Sequence, residues 1–294
     1  MVYFLTKIKL ENYLTDPRSY TFQQHGFQYG FGIQLELLET NFPYYILKNA
    51  SVKGISLTDN ISQINPDDLV VFYNCCENKA VEQLDGIECK RIQIVTDTPI
   101  IPNCDGYVSY DPSIPHRDKN TSRQWFHVLY PMPIGLKKCK PSWPPTNIST
   151  ISPGKMTTQR DVPSQYNIID DSYCNRGDED VLFHVRKKIT YNHKSGIVSR
   201  MKFPSHKTAN RLYQSWYCNT PGIFSSNTAM DHIRETEFDF LMANDIDELN
   251  EQVTRLKTDR DLFQSMVDVC IRRQNENNYA RITSQWLDVF DHYE

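Results

Sequence analysis

The stretch from Val181 to Met230 contains no aspartate and no glutamate, in a chain that carries 36 acidic residues. It does contain Arg186, Lys187, Lys188, Lys194, Arg200, Lys202, Lys207 and Arg211. Cations without internal carboxylates build a local positive potential that attracts an anion. The plain alternative is a solvated basic face. Other absences narrow the class. No run of about 18 apolar residues occurs, so no membrane span is expected. The apolar N-terminus is too short for a signal peptide and reads as a first strand. The 8 cysteines include no CxxC and no zinc spacing with histidine. They are expected to be reduced, several as small core residues. There is no GxGxxG and no P-loop, which disfavours a nicotinamide enzyme or an NTPase. The absence of GxSxG disfavours an α/β-hydrolase. A formal net charge of -4 argues against a protein that coats nucleic acid.

What is present reads as an α/β chain long enough for two domains. In the first half, residues 2–7, Tyr44–Leu47, Leu69–Tyr73, Arg91–Thr96, Gly106–Tyr110 and Phe126–Tyr130 read as strands. Leu69–Tyr73 is a continuous apolar run, expected of a parallel strand covered on both faces. A long polar loop, Leu10 to Tyr29, follows the first strand, and a helix is expected from Ile33 to Leu38. The prolines from Pro131 to Pro145 mark a boundary. They divide a domain of residues 1–145 from one of residues 146–294. In the second, Ile148–Ile151 and Val181–Arg186 read as strands, Lys207–Cys218 as a helix and Gly222–Phe224 as a strand. A polar start at Ser225–Thr228 leads into another helix near Ala229. Phe238–Met242 reads as a last strand. Helices follow from Asp245, with Glu248 three residues on as a capping partner, and over 259–273 and 279–293. Asp245-Ile246-Asp247 has the form of a metal-binding DxD, but helix capping accounts for it better. Asp178-Glu179-Asp180 reads as solvated loop charge.

The order strand, basic loop, helix, strand, polar helix start suggests a phosphate site. Free N–H groups at a helix start bind phosphate, and Lys207 and Arg211, four apart, share a helix face. Two cations and a helix N-terminus suffice for a diphosphate without a metal.

The residues His206-Lys207-Thr208-Ala209-Asn210-Arg211-Leu212, Trp216 to Ile223 and Ser225 to Ala229 carry a resemblance. They look like the donor-binding segment of GT-B glycosyltransferases, which runs basic-x-x-x-[KR]-L, an apolar helix, G-T-P-x-I and a polar loop. Val181–Arg186 resembles the preceding strand of that segment, and the resemblance covers about residues 180–266. Small glycosyltransferases of large algal (chlorella) viruses are similar, including a xylosyltransferase acting on capsid glycans. Asn219 stands where the pattern has Gly. The paired glutamates of many retaining members are absent, with Asn227 and Glu235 nearby instead. The resemblance implies two Rossmann-like domains facing a central cleft, with the C-terminal helix crossing back to the first. It implies transfer of a sugar from a nucleoside-diphosphate donor, UDP-sugar favoured, to a glycan or glycoprotein hydroxyl. A divalent metal is then optional and no cofactor is required. Arg186, Lys207 and Arg211 would neutralise the diphosphate, and His206, Asn210, Ser226, Asn227 and Thr228 would meet phosphate or sugar. Asp16, His25 and Asp97, each expected beyond a strand end, are the candidates for a catalytic base. A cytoplasmic protein, in the host if viral, is expected. Two rivals stand beside this reading: a non-catalytic nucleotide- or sugar-binding module on the same fold, and a nucleic-acid glycosyltransferase or binder, which the net charge disfavours.

Overall fold

A computed structural model describes residues 1–6, 40–73, 84–96, 100–114, 118, 120–131, 137–151, 164–169, 177, 179–184, 209–225 and 228–294. The chain divides into two compact units. One comprises Met1–Gly135, His206–Thr208 and Asn277–Glu294; the other comprises Leu136–Ser205 and Ala209–Glu276.

The first unit holds β1 (Val2–Leu5), α1 (Phe42–Asn49), β2 (Ile55–Thr58), β3 (Leu69–Tyr73), β4 (Lys90–Val95), β5 (Gly106–Ser109) and β6 (Trp125–His127). These strands form one sheet in the order β2-β1-β3-β4-β5-β6. Every pairing is parallel. All five residues of β3 are buried, as its unbroken apolar run requires. The expected strand at Tyr44–Leu47 is instead the middle of α1. Periodicity cannot separate a short apolar run in a strand from one in a buried helix. Pro43 decides, because it sits in the first turn with φ already set for a helix. β2 escaped the sequence reading. The helix expected at Ile33–Leu38 and the loop from Leu10 to Tyr29 lie outside the described residues.

The second unit holds β7 (Ile148–Ile151), β8 (Asn167–Ile169), β9 (Val181–His184), α2 (Asn210–Tyr217), β10 (Gly222–Phe224), α3 (Thr228–Ile233), β11 (Leu241–Met242), α4 (Ile246–Thr258) and α5 (Arg260–Glu276). Its sheet runs β11-β10-β9-β7-β8, again parallel throughout. Read from the other edge, this is the 2-1-3-4-5 order, the same order that β2-β1-β3-β4-β5 has in the first unit. Val181, Phe183, Ile223 and Leu241 of the sheet pack against Leu249, Val253 and Leu256 of α4 and Phe263 and Met266 of α5. Each such side chain, fully buried, contributes about 1.5–3 kcal/mol.

Local chemistry sets the ends of these elements. α2 stops in a Schellman turn: Thr220 N donates to Ser215 O, Asn219 N donates to Trp216 O, and Asn219 takes φ 58°. Asn219 therefore does the work that glycine does in the related pattern. Asp245 caps α4 by accepting from Glu248 N, and the Glu248 carboxylate returns to Asn244 N rather than to Asp245 N. β11 is shorter than expected at two residues. The residues before it are folded into a turn by Asp239, whose Oδ2 accepts from Glu235 N, Thr236 N and Thr236 Oγ1.

Asp178-Glu179-Asp180 does not read as solvated charge where it is described. Glu179 is fully buried and Asp180 nearly so. Asp180 Oδ1 accepts from Ser142 N and Oγ, and Oδ2 from Thr146 N and Oγ1 and Asn147 N. Burial raises its pKa, but these bonds outweigh burial and hold it below the usual carboxylate range. Asp180 thus fixes the entry into β7.

The last helix, α6 (Tyr279–Asp291), belongs to the first unit. Trp286 and Phe290 meet Phe4 edge-on, with ring centroids 5.6 and 6.3 Å away. Gln285 Oε1 accepts from Leu129 N. Beyond α6, the Tyr293 hydroxyl donates to Asp105 O directly over Gly106. Among the described residues, no helix is long and apolar enough to cross a membrane.

Candidate functional site

In an open parallel sheet, ligands bind beyond the carboxyl ends of the strands, where the strand order reverses. In the second unit that reversal falls between β7 and β9, which are hydrogen-bonded neighbours. The segments leaving those two strands, 152–163 and 185–208, lie outside the described residues. The next segments at the same edge are described in part. β9 and β10 are parallel neighbours joined through α2, so α2 must begin at the carboxyl edge and run back.

Asn210 and Arg211 form the first turn of α2 and are half-buried. The apolar face expected of this helix is present, with Leu212, Tyr213, Trp216 and Tyr217 buried. Off that face, on the side of Arg211, lies Gln214, 1% exposed, whose Oε1 accepts from Arg211 Nη1 at 3.3 Å. The carboxyl end of β10 is tied to that of β11, as Ala243 N donates to Phe224 O and Ser225 Oγ donates to Ala243 O. α3 begins three residues after Ser225, at Thr228.

Of the residues singled out from sequence, the structure places Asn210 and Arg211 together on one helix turn at this edge. Asp16, His25, Asp97, Arg186, His206, Lys207, Ser226 and Asn227 lie outside the described residues, as does the Thr228 side chain. Asp245 is engaged as a cap, and among the described residues no three His, Cys, Asp or Glu side chains group to hold a metal. Glu235 is committed to Arg273, whose Nη1 lies 2.6 Å from Glu235 Oε1. Gln214 was missed by sequence reasoning. Its one signal was an amide three positions after a cation, on the same helix face.

Below this edge a buried ion pair braces the unit. Arg273 Nε lies 2.8 Å from Asp239 Oδ1, Nη2 donates to Ile233 O, and the guanidinium lies 4.9 Å from the centre of the Trp216 ring. Trp216 belongs to α2, so this bracing holds the helix that carries Arg211.

In the first unit, His127 ends β6 at the carboxyl edge of its sheet. Burial lowers its pKa, Arg281 adds to the lowering, and Asp111 opposes it. Its Nε2 is buried without a partner among the described residues.

No protein-family description matches the sequence, and no curated protein matches it. Solved structures do. HepE of Anabaena, in complex with UDP and glucose, matches with a TM-score of 0.54 and 8% identity over 93% of this chain and 84% of HepE. Sucrose-phosphate synthase of Thermosynechococcus elongatus matches with a TM-score of 0.53 and 10% identity over 90% of this chain and 82% of that enzyme. TarM matches with a TM-score of 0.50 and 8% identity over 85% of this chain. The chain spans only 58% of TarM's length. These neighbours are GT-B glycosyltransferases. The fold is therefore α/β and GT-B-like, built from two parallel Rossmann-like sheets.

Proposed function

We propose that this protein is a glycosyltransferase that moves a sugar from a nucleoside-diphosphate donor to a glycan hydroxyl. One observation carries the reading: the carboxylate-free, cation-rich stretch 181–230 spans β9, α2 and β10 of the unit whose carboxyl edge is the ligand edge of the fold. Arg186, Lys207 and Arg211 neutralise the diphosphate. His206, Asn210, Ser226, Asn227 and Thr228 donate to phosphate or sugar. Charge-assisted bonds to the leaving diphosphate strengthen as the glycosidic bond breaks, so they act on the transition state as well as on binding. This makes a divalent metal optional. Asp16, His25 or Asp97 deprotonates the acceptor if the reaction inverts. UDP is the favoured nucleotide, supported by its presence in the HepE complex. Xylose is the first sugar to try and a viral capsid glycan the first acceptor, in line with the algal-virus enzymes the sequence resembles.

The test is a thermal-shift screen against UDP, GDP and their sugars, with and without divalent metal. A ligand at about 100 times its dissociation constant stabilises the fold by ~2.7 kcal/mol. A response to one nucleotide, lost in Lys207→Ala and Arg211→Ala, supports the assignment. Silence to every nucleotide overturns it. Binding without turnover on any acceptor turns the reading to a non-catalytic module.

A further inference from the structure

The start of α2 lacks the cap that helices normally have. Ala209 occupies the N-cap, no side chain among the described residues caps this end, and the first turn holds no acidic residue. Alanine is among the poorest N-caps, and an uncapped end keeps its partial positive charge. Arg211 adds a full charge to the same turn.

Gln214 supplies a second and independent observation. It is 1% exposed, yet among the described residues its Nε2 has no hydrogen-bond partner. Its Oε1 takes the bond from Arg211 Nη1. That bond fixes which way the amide points, because the reverse flip would set NH2 against guanidinium donors. It also turns the carboxamide back over the first turn of the helix. Buried amide donors are nearly always paired, so an unpaired one beside a cation calls for an acceptor. A carboxylate from the chain would serve, but the surrounding stretch 181–230 has none.

We infer that Gln214 is a positioning residue for a phosphate oxyanion at the start of α2. Its oxygen holds the Arg211 guanidinium over the helix end, and its Nε2–H is the donor that the seated anionic oxygen takes up. The inference rests on the nucleoside-diphosphate reading and adds to it a neutral residue that reads the phosphate through both ends of its amide.

The probes are inorganic pyrophosphate and UDP, titrated calorimetrically into the full chain, with the melting temperature of each unliganded variant measured alongside. Gln214→Met keeps the side-chain length and removes both hydrogen bonds. It is expected to weaken pyrophosphate and UDP alike by about tenfold or more, the loss of one bond to a charged group. In an Arg211→Met background the same change should cost much less, because the two residues act as one unit. Gln214→Glu keeps an acceptor for Arg211 but replaces the donor by a carboxylate. Its deficit relative to wild type should shrink as pH falls towards about 4, where the carboxyl regains a proton to donate. A role confined to packing would move the melting temperature and not these three readouts. Should Gln214→Met fail to fold, Gln214→Glu and its pH profile decide alone. Unchanged affinity in a folded Gln214 variant overturns this inference and leaves the donor reading standing. Wild-type protein that binds neither pyrophosphate nor UDP overturns both.

Discussion

Replacing Asp239 by asparagine tests the buried ion pair of Asp239 with Arg273 in the second unit. Asp239 is fully buried. Oδ1 receives Arg273 Nε at 2.8 Å, and Oδ2 receives Glu235 N, Thr236 N and Thr236 Oγ1. Both oxygens are therefore spent on donors. An asparagine has one oxygen and one NH2, so either orientation sets donor against donor. The Arg273 guanidinium is left beneath Trp216 with Glu235 as its main anion, and the Glu235 side chain is 56% exposed. An exposed carboxylate returns only about 0–1 kcal/mol. Breaking a buried pair by neutralising one partner costs about 3–5 kcal/mol. At ~3 °C per kcal/mol for a domain of this size, the melting temperature should fall by about 10 °C. Removing both members, as in Asp239→Asn with Arg273→Met, should recover part of the loss, since a buried pair replaced by apolar packing is often neutral. The pH dependence has a defined sign. Burial pushes the Asp239 pKa up, but the bond and charge of Arg273 outweigh it and hold the carboxyl below the usual range. Its stabilisation is thus complete above the unfolded value of about 3.9 and is lost as pH falls through the lower folded value. Calorimetric scans of wild type and Asp239→Asn should differ by a constant amount from neutral pH to about 5 and converge at lower pH. A single variant within 1–2 °C of wild type at neutral pH, well inside the ~10 °C computed above, would refute the assignment of Asp239 as the anchor of Arg273.

Two further changes test other joints. Asp180→Asn removes one of two oxygens that together accept five hydrogen bonds from Ser142, Thr146 and Asn147; a loss of about 2–3 kcal/mol in urea unfolding is expected, and none would show that Asp180 does not hold this entry loop. Gly106→Ala builds a Cβ 2.0 Å from the Tyr293 hydroxyl, so the tyrosine must move off Asp105. A Tyr293→Phe background should relieve part of that cost, and equal melting-temperature losses in both backgrounds would show that the hydroxyl is not what the new methyl meets.

How much of this was legible in the sequence differs by element for physical reasons. β3 was readable because Leu69–Tyr73 is apolar at every position and follows the Pro66-Asp67-Asp68 turn signal, as a short strand covered on both faces requires. The α4 start was readable because Asp245 and Glu248 are capping residues at capping spacing. α1 was misread because Tyr44, Tyr45, Ile46 and Leu47 are good strand formers, and burial of all four on a helix is decided by what packs around them. Asp180 and Asp239 were opaque for a different reason. The partners of Asp180 sit 33 to 38 residues away in sequence and the Arg273 partner of Asp239 sits 34 away, and pairing at that distance cannot be read from a carboxylate's neighbours in the chain.

The same distinction governs the candidate site. A charge pattern can be read directly, because repulsion among like charges and attraction for an anion depend on composition over tens of residues. It marked 181–230 without any fold. Pairing cannot be read that way. Gln214 looks like an ordinary polar residue until the fold turns its amide towards Arg211 and buries it. What the fold adds to the sequence is therefore the removal of competing partners. In water, the Gln214 amide would lose nothing by the absence of a phosphate. Buried beside a guanidinium, at a helix end without a cap, it has a donor that only an incoming acceptor satisfies. On the proposed reading, the basic stretch attracts the anion and the unpaired amide marks where on α2 its oxygen sits.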